Sequence, residues 1–489
     1  MQEIVSKING YIWSDMLIYL CLGAGLLYSV LTRFAQVRHL REMIRLTFSG
    51  KKSDRGISSF QALAVSLSGR VGVGNIAGVA TAIGFGGPGA VFWMWVVAFL
   101  GASTAYIEST LGQIYKEEDE GQLRGGPAYY IEKAMGQKWY AWIFAISTIV
   151  AVGILLPGVQ SNSIGNAAEL AFGSGPIIEF MGNAVSSTKM ITAVSVVTVF
   201  TFIVFGGVKR IAHFTQIVVP FMALSYISIA ILIIGMHINE LPSVVSMIIN
   251  DAFTPMAGFG AAIGWGVKRG IYSNEAGQGT GPHAAAAAEV EHPAQQGLVQ
   301  AFSVYVDTLF VCSATAFIIL ITNQYYVEGL DKTISGGLLD DKTIINSPAF
   351  TQLALESVMG ALGKTFVAIT LFFFAFTTIL AYYYIAETNV AWVRRSFKST
   401  NKLIILKIAI MTSVFFGTIR SADLAWAMGD IGVGLMAWLN ITGIIILLFM
   451  GRPALKALRD YERQKKAGAT IYTFNPEALG IKNADFWKK

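Results

Sequence analysis

The chain has 489 residues, 54% of them hydrophobic and only 13% charged, with a mean hydropathy of +0.57, against about 25% charged residues in a typical soluble domain. Apolar runs of the length that crosses roughly 30 Å of hydrocarbon recur from Met16 to Met450, which excludes a soluble catalyst or a separate soluble domain. The net charge of +6 is spread over short loops and the tail rather than one continuous patch, so it argues for membrane orientation and against a nucleic-acid partner.

The N-terminal MQEIVSKINGYIWSDM has no basic region and no small-residue cleavage site, so the first apolar run reads as a retained span rather than a signal peptide. Spans are expected at about 16–33, 58–83, 89–114, 139–160, 188–206, 212–236, 257–288, 296–322, 364–393, 403–419 and 424–450, eleven in all. Arg38, Arg41, Arg45, Lys51, Lys52 and Arg55 crowd the loop after the first span, which places that loop in the cytoplasm and the N-terminus outside. Lys209, Arg210, Arg394, Arg395, Lys398 and the tail from Arg452 to Lys489 then also fall inside. The expected location is a cell inner (plasma) membrane, crossed many times.

Within 35–57, VRHLREMIRLTF fits either an interfacial amphipathic helix or a solvated basic linker. GGPAYYIEKAMG, 125–136, is too short to cross and is a candidate half-inserted helix. Cys21 and Cys312 lie in apolar runs and imply packing rather than a disulfide framework. The five histidines show no metal-ligand spacing, and HAAAAA, 283–288, predicts tight helix packing.

Without the first span, ten remain, divided as five in 58–236 and five in 257–450, between an N-terminal segment 1–57 and a tail 451–489. An odd number per half makes the second half run opposite to the first. The first member of each half is glycine-rich: SLSGRVGVGNIAGVATAIGFGG and AGFGAAIGWGVKRGIYSNEAGQGTG. Paired glycine-interrupted spans in inverted halves point to the binding site of a secondary transporter. Unwound backbone survives in a membrane only where it lines a cavity, and half-helix N-termini there offer N–H groups to an anion while freed carbonyls hold a cation. The competing reading is small-xxx-small packing, which the pair Gly74 and Gly78 fits. GVGNIA, 72–77, matches a loose dinucleotide pattern but lacks the acid about 20 residues on.

GGPGAVFWMWVVAFLG (86–101), GNIAGVATAI (74–83) and YSNEAGQGT (272–280) resemble the alanine or glycine:cation symporter family, also called sodium:alanine symporters, over about residues 12 to 467. The resemblance implies an all-α polytopic membrane protein with about eleven transmembrane helices: a LeuT-type 5+5 inverted repeat preceded by one extra N-terminal helix. It also implies sodium-driven uptake of a small neutral amino acid such as alanine or glycine, with sodium as coupling ion and no other cofactor. On it, Gly72, Val73, Gly74 and Asn75 receive the substrate carboxylate, and Val73 stands where family members often have Thr. Ser68, Val71, Phe374, Thr377 and Thr378 are the implied sodium ligands, matching the preference of hard cations for oxygen; back-bonding of Thr377 and Thr378 to their own helix is the alternative.

Gln160, in LLPGVQSNSIGN, is a further substrate candidate or an interhelical tie, and Gly264, Trp265 and Gly266 are expected at the second break, with Trp265 walling the site. Ionisable residues at membrane depth are functional by default: Arg70, Glu108, Lys268, Arg269, Glu275, Asp307 and Glu387, with Arg70 a gating candidate or a partner for an acid such as Glu275. An enzyme would need a nucleophile with a base or a metal cluster, which the sequence does not present, and a sensor would need more than the roughly 39-residue tail. A channel of similar architecture and a proton-coupled symporter stay open. Membrane lipid is the expected surrounding, and no obligatory protein partner is indicated.

Overall fold

The computed structural model describes residues 2–48, 56–254, 258–395 and 402–488. Lys51, Lys52, Arg55 and Lys398, expected inside, and residue 257, the expected start of the second half, lie outside the described residues. Helices occupy all eleven expected segments. In chain order they are α1 (Asp15–Leu31), α2 (Leu40–Phe48, at the first loop), the broken pair α3 (Ser59–Arg70) and α4 (Val79–Gly86), and α5 (Gly89–Ile114). Then follow α6 (Lys138–Phe172), α7 (Ser187–Val204), α8 (Gly207–Met236), a second broken pair α9 (Phe259–Asn274) and α10 (Gly281–Ala287), and α11 (Pro293–Ile321). The last are α12 (Ala361–Arg394), α13 (Lys402–Ile419), α14 (Ala422–Phe449) and the tail helix α15 (Pro453–Lys466).

Among the described residues, eight helices are long and apolar enough to cross a membrane, or nine if α3 and Gly74–Gly86, bent by 49°, make one span. The second broken pair and α13 fall short of that length, so their place in the bundle is decided by packing. The only strands among the described residues are two short antiparallel hairpins, Glu117–Asp119 with Gln122–Arg124 and Ile177–Phe180 with Asn183–Ser186.

Local chemistry explains the starts of the elements that matter. Ser58 and Gln61 form a reciprocal capping box at α3, with Gln61 N–H donating to Ser58 Oγ at 3.2 Å and Ser58 N–H to Gln61 Oε1 at 3.0 Å. Wide π turns interrupt three spans, at Gly74–Gly78, Ala151–Leu155 and Val306–Cys312, a feature that gathers at functional sites. The alanines of α10 are buried between α3 and α5, the tight packing expected of HAAAAA. In the first loop, 40–48 forms a helix that buries Met43 and Leu46. Residues 127–135 likewise form a short helix with Pro127–Ile131 buried.

Ion pairs gather the basic loops at one end of the bundle. Arg38 meets Glu462 at 2.7 Å, Lys465 meets Glu42 at 2.9 Å, Lys133 meets Glu117 at 2.7 Å and Arg394 meets Glu120 at 2.6 Å. The same end holds a backbone bridge between Ile57 and Ala288, which ties the entry of α3 to the exit of α10.

Candidate substrate and cation site

The first break is short. Helix α3 ends at Arg70, Val71 turns out of helical geometry (ψ 83°), and the π turn resumes at Gly74. Two N–H groups freed there are taken by side-chain amide oxygens: Gly72 N–H donates to Asn75 Oδ1 at 2.8 Å, and Val73 N–H to Gln160 Oε1 at 3.1 Å. Each oxygen occupies a donor that the sequence assigned, by resemblance, to a substrate carboxylate. Gln160 is therefore an interhelical tie in this conformation, with Tyr272 and Tyr382 facing it.

The second break lies elsewhere than expected. Helix α9 runs unbroken through Gly264, Trp265 and Gly266 and unwinds only at Glu275, whose φ is 57°, followed by Gly277 (φ 86°) and Gly279 (φ 82°). Trp265 is ten residues from Glu275, about 15 Å along a helix, and stacks on Phe85 with ring centroids 4.5 Å apart. A Cβ on Gly266 would come within 2.6 Å of the Trp93 side chain and 2.5 Å of the Ala90 carbonyl, so this glycine permits close packing on α5. Composition could not separate a packing glycine from a breaking one.

Glu108 of α5 reaches into the true second break. Its carboxylate accepts from Gly277 N–H at 3.3 Å, Gly279 N–H at 3.1 Å and Asn440 Nδ2 at 2.6 Å. These three hydrogen bonds anchor the unwound segment to α5 and α14.

The two breaks touch. A Cβ on Gly74 would lie 2.8 Å from Ser273 Cα. Asp307, in the π turn of α11, accepts from Asn75 Nδ2 at 2.7 Å, Ser273 Oγ at 3.0 Å and Thr308 Oγ1 at 2.7 Å, joining both breaks to α11. Arg70 is buried and, among the described residues, has no carboxylate within 4.0 Å; its expected pairing with Glu275 is not made. Its Nε donates instead to the Asn274 carbonyl at 2.6 Å, and Nη1 to Ser66 Oγ at 2.9 Å and Gln300 Oε1 at 3.0 Å. The guanidinium thus clasps the end of α3 to the end of α9.

On the other side of the first break, Thr378 Oγ1 donates to the Ser68 carbonyl at 2.8 Å and the Phe374 carbonyl at 2.9 Å. Three of the five expected cation ligands converge there. Thr377 back-bonds to the Phe373 and Phe374 carbonyls at 2.9 and 3.1 Å, and Ser68 Oγ to the Val65 carbonyl at 2.7 Å. Gly72 lies between Thr378 and Gln160, so the expected cation ligands and the expected carboxylate ligands share one glycine.

A family model described as the sodium:alanine symporter family matches residues 1–475. The chain belongs to that family. A Bacillus subtilis (strain 168) relative, provisionally named a sodium/proton-dependent alanine carrier, is 56% identical over 100% of this chain and 98% of its own. The sodium/proton-dependent alanine carrier of Bacillus sp. (strain PS3) is 48% identical over 91% of this chain and 97% of its own. The crystal structure of MhsT in complex with L-phenylalanine aligns with a TM-score of 0.53 over 81% of this chain and 99% of that one, at 14% identity, which shows a shared LeuT-type fold.

In this family member, the sequence singled out Lys268 and Arg269 but passed over the residues of α14 that they meet. Asp430 of α14 takes Arg269 through both its oxygens, at 2.8 and 3.0 Å, and Lys268 at 2.7 Å. Trp426, one turn earlier, lies under Arg269 (4.4 Å) and against Tyr272 (5.0 Å), and its buried Nε1 has no acceptor among the described residues. The signal for Asp430 was an acid inside an apolar run, the same rule that singled out Asp307. Glu387 lies at the basic end, 3.3 Å from Arg124.

Proposed function

We propose that this family member is a secondary active symporter that takes up a small neutral amino acid, alanine or glycine, with sodium, and not an enzyme. One observation carries the reading: two unwound segments, at 71–72 and 275–280, are brought together by the contact of the adjoining residues Gly74 and Ser273, beside the Ser68, Phe374 and Thr378 oxygens. The substrate carboxylate displaces Asn75 Oδ1 and Gln160 Oε1 from the first break and takes its N–H groups. Sodium, as co-transported cargo, takes the Ser68 and Phe374 carbonyls with Thr378 Oγ1, and Thr377 and Val71 complete the set. Arg269, Asp430 and Trp426 close one mouth, and the bridge between Ile57 and Ala288 closes the other. Alternating access then rocks these closures against each other around a fixed seat.

Eleven crossings, repeats over 58–236 and 257–450, an outside N-terminus and a cytoplasmic tail in the plasma membrane belong to the same proposal. The gathering of the first loop, 117–133, Arg394 and the tail at one end supports that sidedness. Uptake of radiolabelled alanine into proteoliposomes tests the coupling: accumulation is expected under an inward sodium gradient. Equal accumulation with potassium in its place overturns it.

A further inference from the structure

Three carboxyl groups are buried around the two breaks, and two are furnished as anions. Glu108 accepts from two backbone N–H groups and an amide, and Asp307 from an amide and two hydroxyls. Glu275 is not so furnished. It is 2% exposed, its Oε2 accepts from Thr280 Oγ1 at 2.9 Å, and its Oε1 has no hydrogen-bond partner among the described residues. Both oxygens face Gly69 of α3, where a Cβ would come within 3.1 and 3.4 Å of them, so the carboxyl bridges the ends of the two broken helices.

A carboxylate buried with one donor and a bare oxygen is costly, whereas the neutral acid carries its own O–H and needs less from its surroundings. The groups facing it from neighbouring elements are Arg70 on α3, Asp307 on α11, Tyr272 on α9 and Tyr382 on α12. Arg70 supplies the only positive charge among them and is held more than 4.0 Å away by its bonds to Asn274, Ser66, Gln300 and Ser303, with Nη2 left unpartnered among the described residues. Two partly furnished groups of opposite charge type thus lie at the junction of the two broken helices, close enough that a shift of one helix end against the other would change whether they pair.

We propose that Glu275 is a proton-binding site of the transport cycle, a role that rests on the symport reading. The carboxyl takes a proton from the side to which the breaks open and keeps it while the site is closed. It releases the proton on the other side, where Arg70 swings to it and stabilises the anion.

The test uses the full chain in proteoliposomes containing a pH-sensitive dye, reading protons moved per radiolabelled alanine under a sodium gradient. The wild type is expected to acidify the lumen in proportion to alanine, and Glu275→Gln to lose that proportion whatever its rate. Sodium-driven alanine uptake by the wild type without acidification overturns the proton site and leaves symport standing; absent sodium-driven uptake overturns symport itself. Acidification by E275Q in the wild-type proportion also overturns the site. Should E275Q not transport, Thr280→Val decides. Removing the one donor to the anion shifts the midpoint of pH-dependent alanine uptake to higher pH, and an unmoved midpoint overturns the proposal.

Discussion

The two helix breaks solve the same problem with different chemistry. At the first, the freed N–H groups of Gly72 and Val73 are held by neutral amide oxygens from Asn75 and Gln160. At the second, those of Gly277 and Gly279 are held by the Glu108 carboxylate, itself tied to Asn440. A neutral amide yields to an incoming carboxylate at little cost, while an anion on backbone N–H groups repels one and stays. On the proposed reading, the first break is the exchangeable seat and the second the anchored pivot.

The largest expected effect comes from filling the contact between them. Gly74→Leu should abolish alanine binding, since its Cβ alone would press within 2.8 Å of Ser273 Cα; near-normal uptake would show that the seat lies elsewhere. Glu108→Gln should cost more stability than Gln160→Leu. It strips the charge from three hydrogen bonds worth about 1.5–3 kcal/mol each when charge-assisted, and melting in detergent, with and without alanine, compares the two. Gln160→Leu should instead act mainly on alanine affinity, because it empties an oxygen that the substrate replaces.

Next in size, Thr378→Val should raise the sodium concentration for half-maximal uptake about tenfold, or about 1.4 kcal/mol. Thr377→Val should raise it less, since that hydroxyl is spent on its own helix. Equal shifts would mean that the cation draws Thr377 out of its back-bond. The smallest effect is a control remote from both breaks. The His292 ring beside Asp460 holds that tail carboxyl below its usual range. A depressed folded-state pKa means the stabilisation is present above the ordinary carboxylate range and lost as pH falls through the lowered value. Acid should thus loosen α15, read by hydrogen exchange, before it alters either break.

Much of the bundle was legible because apolar length and basic-loop asymmetry are properties of composition. Every expected span coincides with helix, and VGVGN located the first break. The second was misplaced at Gly264, Trp265 and Gly266 because packing and breaking glycines look alike in a string. Those at 264 and 266 face Ile18 and α5, whereas Gly277 and Gly279 adopt positive φ. Asp430 had the same signature as Asp307, but its partners, Lys268 and Arg269, lie about 160 residues away in the chain.

By itself, the sequence determined a helical membrane bundle and the glycine-rich stretch where backbone first unwinds, since both follow from local composition and spacing; the residues expected to receive carboxylate and cation rested on the family resemblance. Only the tertiary structure decided which freed donors are already taken, that Arg70 clasps Asn274 rather than pairing with Glu275, and that one of three buried acids is left with a bare oxygen. Those outcomes depend on distances between helices far apart in the chain, and a buried polar group is defined by its neighbours rather than by its own identity.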